Sequence, residues 1–173
     1  MNTSKPVVGV LMGSDSDLSV MEKCVAQLQE LGIACEVRIL SAHRTPQAVD
    51  EYAASAAGRG LKVIVAAAGM SAALAGVLAA RASVPVIGVA MASGPLAGVD
   101  ALLSTVQMPP GVPVGCVGIG QAGAVNAAIY AAQILALSDE RLARALADRR
   151  AAQAEKVLAR DRQLQQERSG KSE

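Results

Sequence analysis

Val7-Val8-Gly9-Val10-Leu11-Met12-Gly13-Ser14-Asp15-Ser16-Asp17 decides the fold of this chain. From Val7 to Met12 no polar residue interrupts the run, the pattern of a strand buried on both faces. Gly13 ends it, and two serines and two aspartates follow. Apolar residues then recur at spacings of three and four: Leu18, Met21, Val25 and Leu28. That period predicts a helix from about Asp17 to Leu31, with Gly32 just past its end. A buried strand that feeds a helix through a short polar loop is the opening of a βαβ unit.

The same alternation continues along the chain. Strands are predicted at Ala34 to Leu40, Val63 to Ala68, Val84 to Val89 and Val114 to Gly118. Between them lie a helix with Thr45 as its cap and Pro46 at its first position, ending at Gly58 to Gly60, a short alanine-rich helix after Gly69, and a helical segment near Val99 to Val106. A long apolar helix, Ala122 to Leu137, follows the last strand. The rest, from Ser138 to about Glu167, reads as a charged helix, and Ser169 to Glu173 as a frayed end. Strands that are apolar runs and alternate with helices imply an α/β fold with a parallel sheet covered on both faces. Ligands of such folds bind outside the carboxyl ends of the strands, where the strand order reverses. One rim should therefore gather Gly13 to Asp17, Ser41 to Thr45, Gly69 to Gly76 and the loop after Val89. No internal repeat or second domain is visible, so residues 1–173 are expected to form one domain.

Composition narrows the function. The 173 residues are 52% hydrophobic yet contain no Phe or Trp and two Tyr, so the core is built from Ala, Val, Leu, Ile and Met. Small side chains bury little area each, and such a subunit is expected to associate with copies of itself. The charged terminal helix is too polar all round to be core and is expected to reach another subunit. A net charge of +1 gives no footprint for nucleic acid, and the lack of aromatics removes single-strand stacking platforms. Cys24, Cys35 and Cys116 have no metal or redox spacing and read as free, buried thiols in a reducing compartment. Met1 to Lys5 is too short and polar for a signal peptide, and no apolar run is long enough to span a membrane. A cytoplasmic protein without metal or membrane partner is expected.

Chemistry concentrates in two loops. Gly13 to Asp17 precedes a helix N-terminus, where backbone N–H groups and the helix dipole favour an anion. Ser14 and Ser16 add hydroxyl donors, and Asp17 suits ribose hydroxyls. Ser16 or Asp17 could equally do no more than cap the helix. The second loop, Ser41-Ala42-His43-Arg44-Thr45-Pro46, holds the only histidine. Its ordinary pKa near 6.5 lets it give and take a proton at neutral pH. Arg44 beside it offers a planar fork of donors for phosphate. A strand-end histidine can also be hydrogen-bonded scaffolding, and the residues leave both roles open. Gly118-Ile119-Gly120-Gln121-Ala122-Gly123 matches the dinucleotide pattern of glycines, but no strand follows its helix to supply the acidic ribose ligand. A tight packing turn is the better reading.

Taken together, Gly13-Ser14-Asp15-Ser16-Asp17 with Met21, and Ser41 to Pro46, resemble the PurE family of purine biosynthesis, which contains the N5-carboxyaminoimidazole ribonucleotide mutases. The likeness continues through Pro85 to Val89, Leu96 to Asp100, Ser104 to Pro109, Ile119 to Ala124 and Asn126-Ala127, covering about Val7 to Leu137. The resemblance implies a three-layer sandwich with a flavodoxin-like sheet, a C-terminal helix extension beyond a core of about 7–137, an octamer, and no cofactor. It implies that His43 shuttles the proton, that Ser14, Asp17 and Arg44 contact a ribonucleotide, and that Ser16, Ser41, Gly13, Gly69 and Ser71 complete the site. One segment departs. Mutases of the family carry Ala-Gly-x-x-Ala-His-Leu-Pro-Gly where this chain has Ala68 to Gly76, with Ala73 in the histidine position and Ala75 in the proline position. The carboxylase branch, which uses free CO2, has Ala-Gly-Arg-Ser-Asn-Ala-Leu there. This chain shares its serine, Ser71, but has Met70 and Ala72 for arginine and asparagine. The mutase is the expected activity, with the carboxylase or an altered paralogue as the alternative.

Overall fold

Five parallel strands form one sheet in the order β2-β1-β3-β4-β5. They are β1 Val8–Met12, β2 Cys35–Ile39, β3 Val63–Ala68, β4 Val86–Ala90 and β5 Gly115–Ile119. The helices are α1 Leu18–Glu30, α2 Pro46–Arg59, α3 Leu74–Arg81, α4 Val99–Val106, α5 Gly120–Ala136 and α6 Glu140–Ser169, and a 3-10 turn, Asp15–Asp17, precedes α1. These elements come from a computed structural model that describes residues 5–169. The expected N-terminal polar stretch from Met1 to Ser4 and the tail from Gly170 lie outside the described residues.

The strand order follows from connection handedness. The step from β1 to β2 runs one way across the sheet and the three later steps run the other way. Right-handed crossovers then put α1 on one face and α2, α3 and α4 on the opposite one. Packing agrees. Tyr52 of α2 lies over Gly9 of β1, while Ala75 of α3 and Thr105 of α4 both lie over Gly88 of β4. The next residue along β4, Val89, points to the other face, and there it meets Gly123 of α5. Leu11, Val49, Tyr52, Ile64, Leu74 and Leu78 anchor the core under α2 and α3. Ala124, Ala127, Ala128 and Ala131 bury the inner side of α5. The core is aliphatic and alanine-rich, as the composition required.

Several local expectations need correction. β1 and β4 are buried along their whole length, but β2 is not: Val37 and Ile39 are 41% and 51% exposed. It is an edge strand with one neighbour, which is why Glu36 and Arg38 interrupt its apolar run. The other edge, β5, is half-buried throughout. Of the three free thiols only Cys24 is buried; Cys35 and Cys116 sit on these two edge strands and are half-buried. Thr45 stands before Pro46, but its hydroxyl does not cap α2, because it is engaged with Ser41. Asp17 likewise makes no side-chain cap to α1; Ser14 caps the preceding 3-10 turn instead, accepting from the Ser16 N–H. The run from Gly118 to Gly123 is a packing turn: Gly118 and Gly120 have φ of 133° and 61°, and Gly123 rests on the Gly118 carbonyl.

The described residues divide into two compact units between Leu135 and Ala136. The second is essentially α6. Leu142 is its buried residue, and every residue from 151 to 169 is exposed. Glu140–Arg144, Glu155–Arg162 and Arg160–Glu167 ion pairs run along its surface. The helix continues through Ser169, whose Oγ donates to the Gln165 carbonyl at 2.8 Å, so fraying does not begin there.

A polar strut ties edge strand β2 to α2. Tyr52 Oη donates to Glu36 Oε1 at 2.6 Å, Arg59 Nη1 donates to both Glu36 oxygens at 2.7 and 2.9 Å, and the guanidinium lies 4.6 Å from the Tyr52 ring centre. Burial pushes the Glu36 carboxyl up, but the hydrogen bonds from Tyr52 and Arg59 outweigh it and hold the carboxyl below its ordinary value. A depressed carboxylate stabilises the fold above its unfolded pKa and loses that contribution as pH falls through the folded one. Glu36→Gln is therefore expected to lower the melting temperature at pH 7, with the gap from wild type closing below about pH 4. A gap that persists unchanged into acid would show that shape, not charge, holds the strut.

Candidate functional site

The reversal of strand order falls at β1, and the crevice it leaves is a cavity of about 730 Å3. Four loops line it, each leaving the carboxyl end of a strand. They contribute Gly13, Ser14, Ser16 and Asp17 after β1; Ser41, Ala42, His43 and Arg44 after β2; Ala68, Gly69, Met70, Ser71, Ala73 and Leu74 from β3 into α3; and Ser93 after β4. All nine site residues singled out from the sequence, Gly13, Ser14, Ser16, Asp17, Ser41, His43, Arg44, Gly69 and Ser71, are brought together here. The glycines of the dinucleotide-like pattern and the three cysteines are not among the lining. Burial also pushes the thiols up, Cys24 to about 12, which leaves them protonated at neutral pH.

The loop after β2 is held as a closed turn. Thr45 Oγ1 accepts from the Ser41 N–H at 2.9 Å and donates to the Ser41 carbonyl at 3.1 Å, and the Thr45 N–H donates to the same carbonyl at 2.8 Å. Ser41 Oγ accepts from the backbone N–H and Nε of Arg44 at 3.2 and 3.3 Å. Arg44 Nη2 then donates to the Gly13 carbonyl at 2.8 Å, clasping the β2 loop to the β1 loop. Between these anchors His43 is exposed and makes no hydrogen bond to any described residue. The scaffold reading of this histidine thus finds no partner among the described residues, and its side chain lines the cavity.

The β1 loop is polar and internally bonded. Ser16 Oγ donates to Ser14 Oγ at 2.9 Å, Ser14 Oγ donates to Asp15 Oδ1 at 3.1 Å, and the Ser16 N–H donates to Asp15 Oδ1 at 3.0 Å. Asp17 behind them is 6% exposed. Burial pushes its carboxyl above the ordinary value, although hydrogen bonds from Ser16 and the backbone pull the other way. A buried carboxylate with spare acceptor capacity suits neutral donors such as hydroxyls. Cation, hydroxyls and carboxylate thus occupy the side of the cavity formed by β1 and β2. The β3 side is mostly apolar: Ala68, Gly69, Met70, Ala73 and Leu74, with Ser71 its one polar side chain among the described lining residues. Sequence reasoning placed the β4 loop on the rim but chose no residue in it. Ser93 enters because Gly69, having no side chain, lets its hydroxyl press close.

A family model described as AIR carboxylase matches residues 7–156. An N5-carboxyaminoimidazole ribonucleotide mutase of Bacillus subtilis is 51% identical over 160 residues, covering 92% of this chain and 99% of that protein. A protein of the same name from Pseudomonas aeruginosa is 51% identical over 152 residues, covering 88% and 93%. Among solved structures, Treponema denticola PurE superposes with a TM-score of 0.83 at 32% identity, covering 92% of this chain and 98% of that one.

The Gly69–Ser93 contact is open to a direct test. A methyl group at position 69 would overlap Ser93 Oγ and crowd Ser93 Cβ at 3.1 Å. Gly69→Ala is expected to cost about 1–3 kcal/mol of unfolding free energy, the range for overpacking. Denaturant melts should recover part of that loss when Ser93→Gly is added, and full additivity of the two changes would deny the contact.

Proposed function

Because this chain belongs to the AIR carboxylase family, we propose that it is an N5-carboxyaminoimidazole ribonucleotide mutase of purine biosynthesis, an isomerase that moves a carboxylate from the exocyclic nitrogen to ring carbon C4. The observation that carries the mechanism is an exposed, unpartnered His43 sharing one cavity with Arg44 and Asp17. Arg44 and the Gly13 to Asp17 loop take the single phosphate, Asp17 accepts from ribose hydroxyls, and the ring lies toward β3. The His43 imidazolium gives its proton to the carbamate nitrogen. The N–C bond breaks, its electron pair stays on nitrogen, and CO2 is released into the pocket. The electron-rich ring attacks CO2 through C4. Neutral His43 then takes the C4 proton, restoring the aromatic ring and its own starting state. One group serves both transfers with no net proton change, and positioned acid–base help of this kind contributes about 10²–10⁴-fold. The apolar wall of Ala68, Gly69, Ala73 and Leu74 keeps CO2 from water between the steps.

The test is to offer the purified protein N5-carboxyaminoimidazole ribonucleotide and aminoimidazole ribonucleotide, each with and without bicarbonate. Turnover of the carbamate alone supports the mutase. Carboxylation of aminoimidazole ribonucleotide from bicarbonate, with the carbamate ignored, supports the carboxylase instead, a reading favoured by Ala73 standing where the mutases carry histidine. His43→Asn is expected to abolish turnover while fold and nucleotide binding survive, and full activity in that variant ends the shuttle assignment. Arg44→Ala removes a charge-assisted contact worth about 1.5–3 kcal/mol, so KM should rise roughly 10- to 150-fold. An unchanged KM would put the phosphate elsewhere.

The enzyme acts in the cytoplasm, in keeping with three free cysteines, and as an octamer. Support for assembly comes from Leu96, Val99, Leu103 and Val106, which leave one side of the α4 region 50–60% exposed, and from the exposed surface of α6. Light scattering should report eight subunits, and a monomer at micromolar concentration would contradict it.

A further inference from the structure

We propose that Met70 is a ligand-contact residue that covers the heterocyclic ring of the bound nucleotide and gives the cavity its selectivity for that ring. The inference rests on the ribonucleotide reading and adds a residue to it. Met70 has a φ of 56°; among described residues, Ala97 is the other non-glycine with positive φ. The left-handed conformation costs an L-residue about 1–2 kcal/mol, and glycine would occupy it without that strain. A methionine kept there needs a reason in its side chain. That side chain is 61% exposed, although it is apolar and lines the cavity.

Its surroundings say what it can touch. The Met70 carbonyl accepts from the Ala72 N–H at 2.9 Å, in a tight turn that aims the side chain away from the core. Met70 Cγ lies 3.7 Å from where a Cβ on Gly94 would stand, so the side chain leans on the loop after β4, next to Ser93. It thereby spans from the β3 loop to the β4 loop, on the apolar side of the cavity. No described aromatic residue lines that cavity, and Leu74 is 1% exposed. Among the described lining residues, Met70 is thus the one large apolar side chain free to lie on a ligand. A polarizable thioether packs well against an aromatic ring, and the polar phosphate and ribose contacts are all at the other end.

Calorimetric titration with aminoimidazole ribonucleotide and with ribose 5-phosphate, which lacks the aminoimidazole, tests this in wild type, Met70→Gly and Met70→Leu. Met70→Gly should weaken the nucleotide about tenfold, the scale of losing a buried Met side chain, and leave ribose 5-phosphate unchanged. Its melting temperature should rise, because the strain is relieved. Met70→Leu should keep most of the nucleotide affinity. Equal nucleotide affinity in wild type and Met70→Gly overturns the proposal, and so does an equal loss for both ligands. A Met70→Gly protein that elutes as a smaller assembly overturns it too, since Met70 would then be a subunit contact. A wild-type protein that binds neither ligand overturns the ribonucleotide reading itself, and the role of Met70 with it.

Discussion

Parallel strands cannot be joined by tight turns, so every connection must cross the sheet, and right-handed crossovers fix which face each helix takes. In this chain the first crossover runs opposite to the next three. That single reversal sends α1 and α3 to opposite faces and parts the loops that lead into them. The gap between those loops is the cavity. Everything at the site depends on it: the β1 and β2 loops reach the cavity from one side, and the β3 and β4 loops close it from the other.

Small residues make the closing possible. Gly9 admits the Tyr52 hydroxyl, Gly88 admits Thr105, and Gly69 admits Ser93. Each contact brings a helix or loop nearer to the sheet than a methyl group would permit. The same economy of volume explains the alanine-lined α5 and a core with no Phe or Trp. It leaves little area buried per residue, and large apolar side chains remain exposed on α4.

Within the cavity, charge and apolarity are separated. Arg44 is held by Ser41 and by the Gly13 carbonyl, so a cation is fixed near the β1 loop before any anion arrives. Asp17 is buried and its carboxyl is pushed up by that burial, which suits an acceptor of hydroxyls and not a partner for phosphate. His43 sits in the same closed turn as Arg44 but makes no hydrogen bond to any described residue. A rigid frame thus presents one unengaged imidazole, which is the requirement for a group that must both give and receive a proton.

Five strands, their parallel pairing and the rim on which the ligand groups lie were legible in the sequence, because uninterrupted apolar runs, helical periods and glycine stops are local signals. The loops after β1 and β2 could be singled out because their residues carry chemistry in their own right. Other features were not local. That β2 and β5 are edge strands, and that Cys35 and Cys116 on them are therefore half-buried, depends on which strands pair with them. That Thr45 bonds Ser41 instead of capping α2 depends on the closed turn. Ser93 reaches the cavity because Gly69 allows one loop to pack on another, and the left-handed backbone of Met70 has no signature in a sequence. Composition and period determine which segments bury themselves. Only the tertiary structure decides which side chains from distant segments share one space, because that depends on strand order, handedness and close approach, which no single segment encodes.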